Sequence, residues 1–392
     1  LITFDFHKVR IPFRFSYGHA KKRHSELEAI IVIATDSDGV QGYGEAVPRT
    51  YVTGETCESI LHIAPTLARQ ALAGGEDQAA VQHCLGEIAN QPSDTVPSCA
   101  LCAIDTALLC LEANRQGTSV AKMLGGELPC ELVYSASIGL GNKAAMLATL
   151  LSYRAAGIQH FKVKVGGESD FRRIKWIRRI LGADITLFAD ANAKWGREEA
   201  VRNIEQLAKL GVWALEEPLR TADPPETIHG FLNRRLVLDD EHWKTYQWLR
   251  DRSAIPLIAD ESLICPQTAR NIIDYKAFDI LNVRLSKCGG THLSGEMIQI
   301  ARTAGLGFSC CAMVGETAIL ATVGSHFATA FADHKLVQGH SHRVLHRTRF
   351  VRGEPAMKRG GKLRVEQVSG LGLQLDTDGL EKVTVSHERI TT

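Results

Sequence analysis

His160-Phe161-Lys162-Val163-Lys164-Val165 is a short, mostly apolar run that turns charged at its end, and the same form recurs along the chain. Thr186–Ala189 leads into Asp190-Ala191-Asn192, Val212–Leu215 into Glu216-Glu217-Pro218, Pro256–Ala259 into Asp260-Glu261-Ser262, and Ile280–Leu285 into Ser286-Lys287-Cys288-Gly289-Gly290. Val133–Ser137, Gly307–Ala312 and Lys335–Gln338 bring such runs to eight, separated by helix-like segments. Eight alternating units predict a parallel (β/α)8 barrel of the α/β class, because strands covered on both faces read as unbroken apolar runs. The charged ends are evenly spaced except for a longer step from Glu216 to Asp260. The extra segment, around Thr221–Trp243 with Asp239-Asp240-Glu241, fits no unit of the pattern.

A barrel takes about 250 residues, so a chain of 392 residues holds a second body. The sequence divides into an α+β N-terminal domain over 1–126, the barrel over 127–345, and a C-terminal segment over 346–392 that returns to the first domain. Leu27–Ala34 and Gly39–Val47 flank Asp36-Ser37-Asp38-Gly39, a turn signal that predicts an antiparallel hairpin. The region from Glu58 to Ala121 is mainly helical in pattern. Within it Ala100–Leu111 is apolar almost all round, as a buried helix is. Gly361–Val365 and Leu371–Leu375 read as the returning strands.

Forty-five Lys+Arg against 44 Asp+Glu give a formal charge of +1, which offers no global field to nucleic acid or an anionic membrane. At 45% hydrophobic residues the composition suits a large core and excludes a disordered or collagen-like chain. No stretch approaches the roughly 18 apolar residues of a membrane span, and Leu1–Lys8 lacks a signal peptide's apolar block, so a cytoplasmic address is expected. The ten cysteines are scattered, and the one CxxC, Cys99-Ala100-Leu101-Cys102, lies in the apolar helical run, where reduced, buried thiols are expected.

A barrel carries its active site at the C-terminal ends of its strands, where these charges fall. Period-2 alternation puts Lys162 and Lys164 on one face. Any one charged end could be a solvated terminus or an ion pair, but five in phase argue for a site. Asp190, Glu216 and Asp260, from adjacent strands, make a hard oxygen set of the kind Mg²⁺ prefers. Lysines on the second and sixth strands would flank whatever the metal binds. Such a site suits removal of a proton next to a carboxylate, because the enolate is reachable only when its developing charge is neutralised. A lysine base must shed its proton, and neighbouring positive charge favours that loss.

On these residues the sequence resembles the enolase superfamily, in particular its muconate-lactonising and dipeptide-epimerase branch; a lysine base working with magnesium is a known property of that superfamily. Gly42-Tyr43-Gly44-Glu45, Ala103-Ile104-Asp105-Thr106-Ala107 and Leu124-Gly125-Gly126 extend the likeness over nearly the whole chain. The resemblance implies a barrel capped by the N-terminal domain, with Asp190, Glu216 and Asp260 as Mg²⁺ ligands. It further implies Lys164 and Lys287 as acid/base groups on opposite faces, Lys162 holding the substrate carboxylate, and Asn192, Glu217 and Glu261 supporting the ligands. Two cap loops, Phe15–Arg23 and Pro48–Gly54, would reach the substrate through Tyr17, Arg49 and Tyr51, with Ser16 and His19 nearby, and Glu316 would lie near the site.

Dipeptide epimerases carry an Asp-x-Asp pair at the eighth strand for the substrate ammonium; here Gln338 and His340 stand in that region. His340, His342 and His346 read as a polar strand end and a solvated linker rather than a transition-metal site, since nothing is spaced to complete a tetrahedron. The resemblance implies a racemase or epimerase of an amino-acid-derived carboxylate. A cycloisomerase or dehydratase would use the same enolate, and a non-catalytic binding or structural protein is the alternative of another class. The expected partner is a small-molecule carboxylate, not nucleic acid or membrane. Family members often form homo-oligomers, and no feature of the sequence selects a state.

Overall fold

The structure, a computed structural model, describes residues 1–18, 23–90, 97–139, 143–167, 169–220 and 238–392; side chains at 17, 18, 23, 90 and 143–145 are outside that description. The N-terminal sheet is antiparallel and built from β1 (Thr3–Gly18), β2 (Arg23–Thr35) and β3 (Gln41–Ala46). The β2–β3 hairpin turns where the sequence signals it: Asp36 Oδ1 accepts the N–H groups of Asp38 and Val40, and Gly39 takes φ +80°. Three helices follow, α1 (Cys57–Ala71), α2 (Gln78–Asn90) and α3 (Ser98–Arg115). Nearly every residue of α3 is buried, as its unbroken apolar surface requires. It lies so close to β3 that a Cβ at Gly44 would stand 2.0 Å from Ala103 O and one at Gly42 2.2 Å from Ala107 O. That contact is the physical reason for the two glycines around Tyr43.

The barrel strands are β5 (Ala136–Ile138), β6 (His160–Lys164), β7 (Thr186–Asp190), β8 (Val212–Glu216), β9 (Leu257–Ala259), β10 (Ile280–Arg284) and β11 (Gly307–Cys311). They form one parallel sheet in sequence order. The eighth run, Lys335–Gln338, closes the ring through backbone bonds. On one side Lys335 N donates to Phe308 O at 2.7 Å and Cys310 N to Leu336 O at 3.0 Å; on the other Ser135 N donates to Val337 O at 2.9 Å. Inside the ring Phe188, Ala214, Ile258, Ile280 and Leu336 make a separate apolar cluster. A much larger core packs outside the strands and beneath the N-terminal sheet.

The expected first strand, Val133–Ser137, straddles two elements. Its start belongs to β4 (Cys130–Val133), which pairs antiparallel with a strand from the C-terminal segment, and only its end enters the barrel. That segment contains β12 (Val351–Arg352), β13 (Met357–Lys358), β14 (Lys362–Val365), β15 (Gln374–Leu375) and β16 (Thr384–Thr391). β14 joins β4 and β15 joins β12, so neither expected returning strand reaches the N-terminal sheet. β16 does, pairing with β1 from Thr3↔Thr391 to Val9↔Thr384. The three late histidines are buried, not solvated: His340 meets Ser325 Oγ at 2.9 Å, His342 meets Glu354 Oε2 at 2.6 Å and His346 meets Gly315 O at 2.8 Å. The ten cysteines are free; burial pushes the Cys99 and Cys102 thiols far up, which keeps them inert. Among the described residues no helix is long and apolar enough to cross a membrane.

Candidate active site

Four strands carry their site residue two positions beyond an apolar residue of the barrel interior, because alternate residues share a face. Phe188 precedes Asp190, Ala214 precedes Glu216, Ile258 precedes Asp260, and Ile280 precedes Asn282 and then Arg284. The apolar cluster is therefore the floor of the site. Asp190, Glu216 and Asp260 are at most 1% exposed. Lys162 Nζ donates to Glu216 Oε1 at 2.7 Å and lies 2.9 Å from Asp190 Oδ2. Lys164 Nζ donates to Asp190 Oδ2 at 2.6 Å and to Asn192 Oδ1 at 2.7 Å.

Buried charges persist only when paired. Burial pushes Asp190 up, but Lys162 and Lys164 outweigh it and hold the carboxyl well below its usual range. Asp260 is likewise pushed up by burial and pulled lower still by Arg284 and Lys287. Glu216 is pushed up to about 7, first by burial and then by Asp190. Lys162, despite its burial, is raised by Asp190 and Glu216 and stays charged.

The opposite wall differs from the sequence expectation. β10 ends at Arg284, and Lys287 lies beyond it in the helical turn Leu285–Cys288, which Gly289 closes at φ +86°. Lys287 is 1% exposed and its ammonium is spent on Asp260 O at 2.5 Å, Asp260 Oδ1 at 3.0 Å and Asn282 O at 3.1 Å. Arg284 reaches the carboxylates from the inner face, bonded to Asp260 Oδ2 and 3.3 Å from Glu216 Oε1, where Asn282 Nδ2 also donates at 3.0 Å. Reading Ile280–Leu285 as one apolar run hides Arg284. The signal was present: alternation places Asn282 and Arg284 in phase with Ile280.

Glu217, at φ +38°, turns away from the ring, where Tyr246 OH and Ser262 Oγ donate to it; its other oxygen accepts Asp260 N at 2.8 Å and so braces a site carboxylate through the backbone. Glu261 shares a pocket between cap and barrel mouth with His24, Arg49, Tyr51, Arg284 and Met313, and burial, with Asp260 and Glu217, pushes its carboxyl up to about 8. Arg49 clasps cap to barrel by donating to Pro48 O and Val314 O, both at 3.0 Å. Tyr51 OH stands 3.4 Å from His24 Nε2. Glu316 closes its own turn by accepting Met313 N at 2.6 Å. The Tyr17 side chain and His19 lie outside the described residues, as do residues 221–237. Asp239-Asp240-Glu241 begins the helix Asp240–Arg250, with Asp239 accepting His242 N at 3.0 Å, an ordinary cap.

The carboxylates present only oxygen donors, which suits a hard divalent cation. Buried Asn192 Nδ2, Glu261 Oε2 and Arg284 Nε also lack hydrogen-bond partners, a feature that buried polar atoms keep when they serve a ligand.

Residues 2–125 match the family model for the mandelate racemase / muconate lactonizing enzyme N-terminal domain, and residues 145–231 and 237–379 match that for the enolase C-terminal domain-like family. N-succinyl-L-Arg/Lys racemase of Bacillus cereus is 26% identical over 387 residues, covering 96% of this chain and 95% of that protein. A hydrophobic dipeptide epimerase of Enterococcus faecalis is 27% identical over 325 residues, 82% of this chain and 84% of that protein. Among solved structures, muconate lactonizing enzyme superposes with a TM-score of 0.80 at 23% identity, covering 97% of this chain and 98% of that one. The barrel, its charged mouth and these matches over nearly the full length make the chain a member of the enolase superfamily, within the group that carries the mandelate racemase and muconate lactonizing enzyme N-terminal domain.

Proposed function

We propose that this protein is a Mg²⁺-dependent enzyme that removes the proton α to the carboxylate of a small, amino-acid-derived or related substrate. The observation that carries the reading is the convergence of Asp190, Glu216 and Asp260 from consecutive strands, with Lys162 and Lys164 against them. These three carboxylates would hold the ion, which when bound neutralises charge developing on the substrate's carboxylate oxygens. Lys164, at the end of β6, is the base; its bond to Asn192 fixes the direction in which its nitrogen faces. Lys162 remains a cation beneath it and attracts the substrate carboxylate. The cap, clasped by Arg49, keeps bulk water from the enolate.

The relatives act on amino acid derivatives, among them N-succinyl amino acids and dipeptides, which supports an isomerase of that class. Gln338 and His340 provide no carboxylate for a substrate ammonium, and His340 is already bonded to Ser325. The reading therefore favours an N-substituted amino acid or another carboxylate without a free ammonium. Proton NMR in D2O with Mg²⁺ and a panel of N-acyl amino acids, dipeptides and lactones tests it. Exchange of an α-proton that falls about 10²–10⁴-fold in Lys164→Ala supports the reading; absence of any Lys164-dependent exchange or turnover overturns it.

A further inference from the structure

Across the ring from Lys164 stands an arginine. β6 and β10 are four strands apart in a ring of eight, so their inner faces oppose each other over the three carboxylates. The inner-face residue that ends β10 is Arg284, two positions after Asn282, and both reach Glu216 Oε1. Lys287 is set into the wall instead: an ammonium has three donors, and all three are taken, two of them by backbone carbonyls that cannot move away. Glu261 follows Asp260 past the end of β9 and lines the pocket between cap and barrel mouth beside Arg284.

Resting on the α-proton reading above, we infer that the site works from one face only: Lys164 takes and returns the proton, and Arg284 opposite is a fixed cation that holds the carboxylate and never exchanges a proton with carbon. A guanidinium keeps its proton in any protein environment and offers a planar fork of donors, which suits anchoring a carboxylate rather than acid/base work. Its unpaired Nε is a donor still free for that purpose.

The chemistry follows from the geometry. The Cα–H bond breaks, the proton passes to Lys164 and the electron pair enters the enolate. With a guanidinium at the strand end opposite Lys164, the pair has two balanced exits. It can take the same proton back at Cα on the face it left, or it can form Cα=Cβ as a Cβ–O bond breaks, the oxygen leaving with its pair and accepting the proton from Lys164. The substrate class this selects is a carboxylate with a β-oxygen substituent, acyclic or closed as a lactone, rather than one whose α-centre is inverted.

The test is stereochemical. Wild-type enzyme with Mg²⁺ in D2O, given single enantiomers of N-acyl amino acids, dipeptides, β-hydroxy and β-acyloxy acids and lactones, is expected to show Lys164-dependent exchange with retention, β-elimination, or both. Inverted α-centres should form at least about tenfold more slowly than exchange or elimination. Arg284→Lys adds a group that can give and take a proton on the far face, and is expected to raise inversion about tenfold or more. Calorimetric titration with Mg²⁺, a readout independent of turnover, establishes that this variant still takes the ion. Inversion by wild type at the rate of exchange overturns the inference, as does a Mg²⁺-binding Arg284→Lys that gains no inversion; either leaves the α-proton reading standing. That reading alone fails if nothing in the panel shows Lys164-dependent exchange or turnover.

Discussion

Two sets of buried carboxylates lie on either side of the domain junction, and they are paired in opposite ways. Glu45, Glu55 and Asp105, all from the N-terminal domain, are bonded to backbone N–H groups and hydroxyls. Glu45 accepts Thr317 N at 2.8 Å and Leu320 N at 3.0 Å, Asp105 accepts Thr291 N at 2.5 Å, and Glu55 accepts Cys99 N at 2.9 Å. Each caps a helix start, and the helices of Glu45 and Asp105 belong to the barrel. Asp190, Glu216 and Asp260 are paired mainly with side-chain cations, Lys162, Lys164, Arg284 and Lys287. A backbone donor is fixed, so Glu45 and Asp105 lock cap to barrel, and Glu55 fixes α3 within the cap. Most side-chain cations can turn aside, so the second set can exchange partners and hold a ligand. Burial pushes Glu45 and Asp105 above the usual carboxylate range, whereas side-chain cations hold Asp190 and Asp260 below it.

Asp190→Asn attacks the exchangeable set, and is expected to lower Mg²⁺ affinity and α-proton exchange by more than the roughly 100-fold typical of a supporting residue, read by calorimetry and NMR. If Mg²⁺ binding survives unchanged, the two sets are not functionally different. Lys287→Met tests whether a lysine whose donors serve two backbone carbonyls belongs with the locked set; leaving Asp260 and those carbonyls short of a donor should cost about 3–5 kcal/mol in denaturant unfolding.

His326 extends the locked set to a neutral group: its Nδ1 accepts Ala121 N at 3.1 Å, and burial lowers its pKa to about 4. The folded state therefore binds the proton less well than the unfolded chain. Its contribution is complete above pH about 6.5 and is lost as pH falls towards 4, by about 3 kcal/mol. Urea unfolding at pH 7 and pH 5 should show a smaller acid loss in His326→Gln, which keeps an acceptor but does not titrate; an equal loss would remove His326 from the set. Asp105→Ala should cost about 2 kcal/mol and Asp105→Asn well under 1, because an amide oxygen still caps. Thermal unfolding separates them, and equal costs would mean that charge rather than the hydrogen bond locks the junction.

The barrel was legible because eight apolar runs with charged ends need no distant information: each reports its own burial on two faces. Asp190, Glu216, Asp260, Lys162 and Lys164 were legible for the same reason, since period-2 alternation places them on the face that the structure turns inward. Arg284 was hidden by one residue of register. A helical turn replaces the strand after Arg284, and the sequence marks that turn only by Gly289-Gly290. The buried histidines were misread because their partners, Ser325, Glu354 and Gly315, are brought to them by folding.

By itself the sequence determined the repeating unit, the strand faces and the carboxylate set, all properties of residues near one another in the chain. Only the tertiary structure decided which cation faces Lys164, which strand closes the N-terminal sheet and which carboxylates are locks. Those outcomes depend on contacts between distant segments, such as Glu45 with Thr317 and β1 with β16, and on the register at which a strand stops.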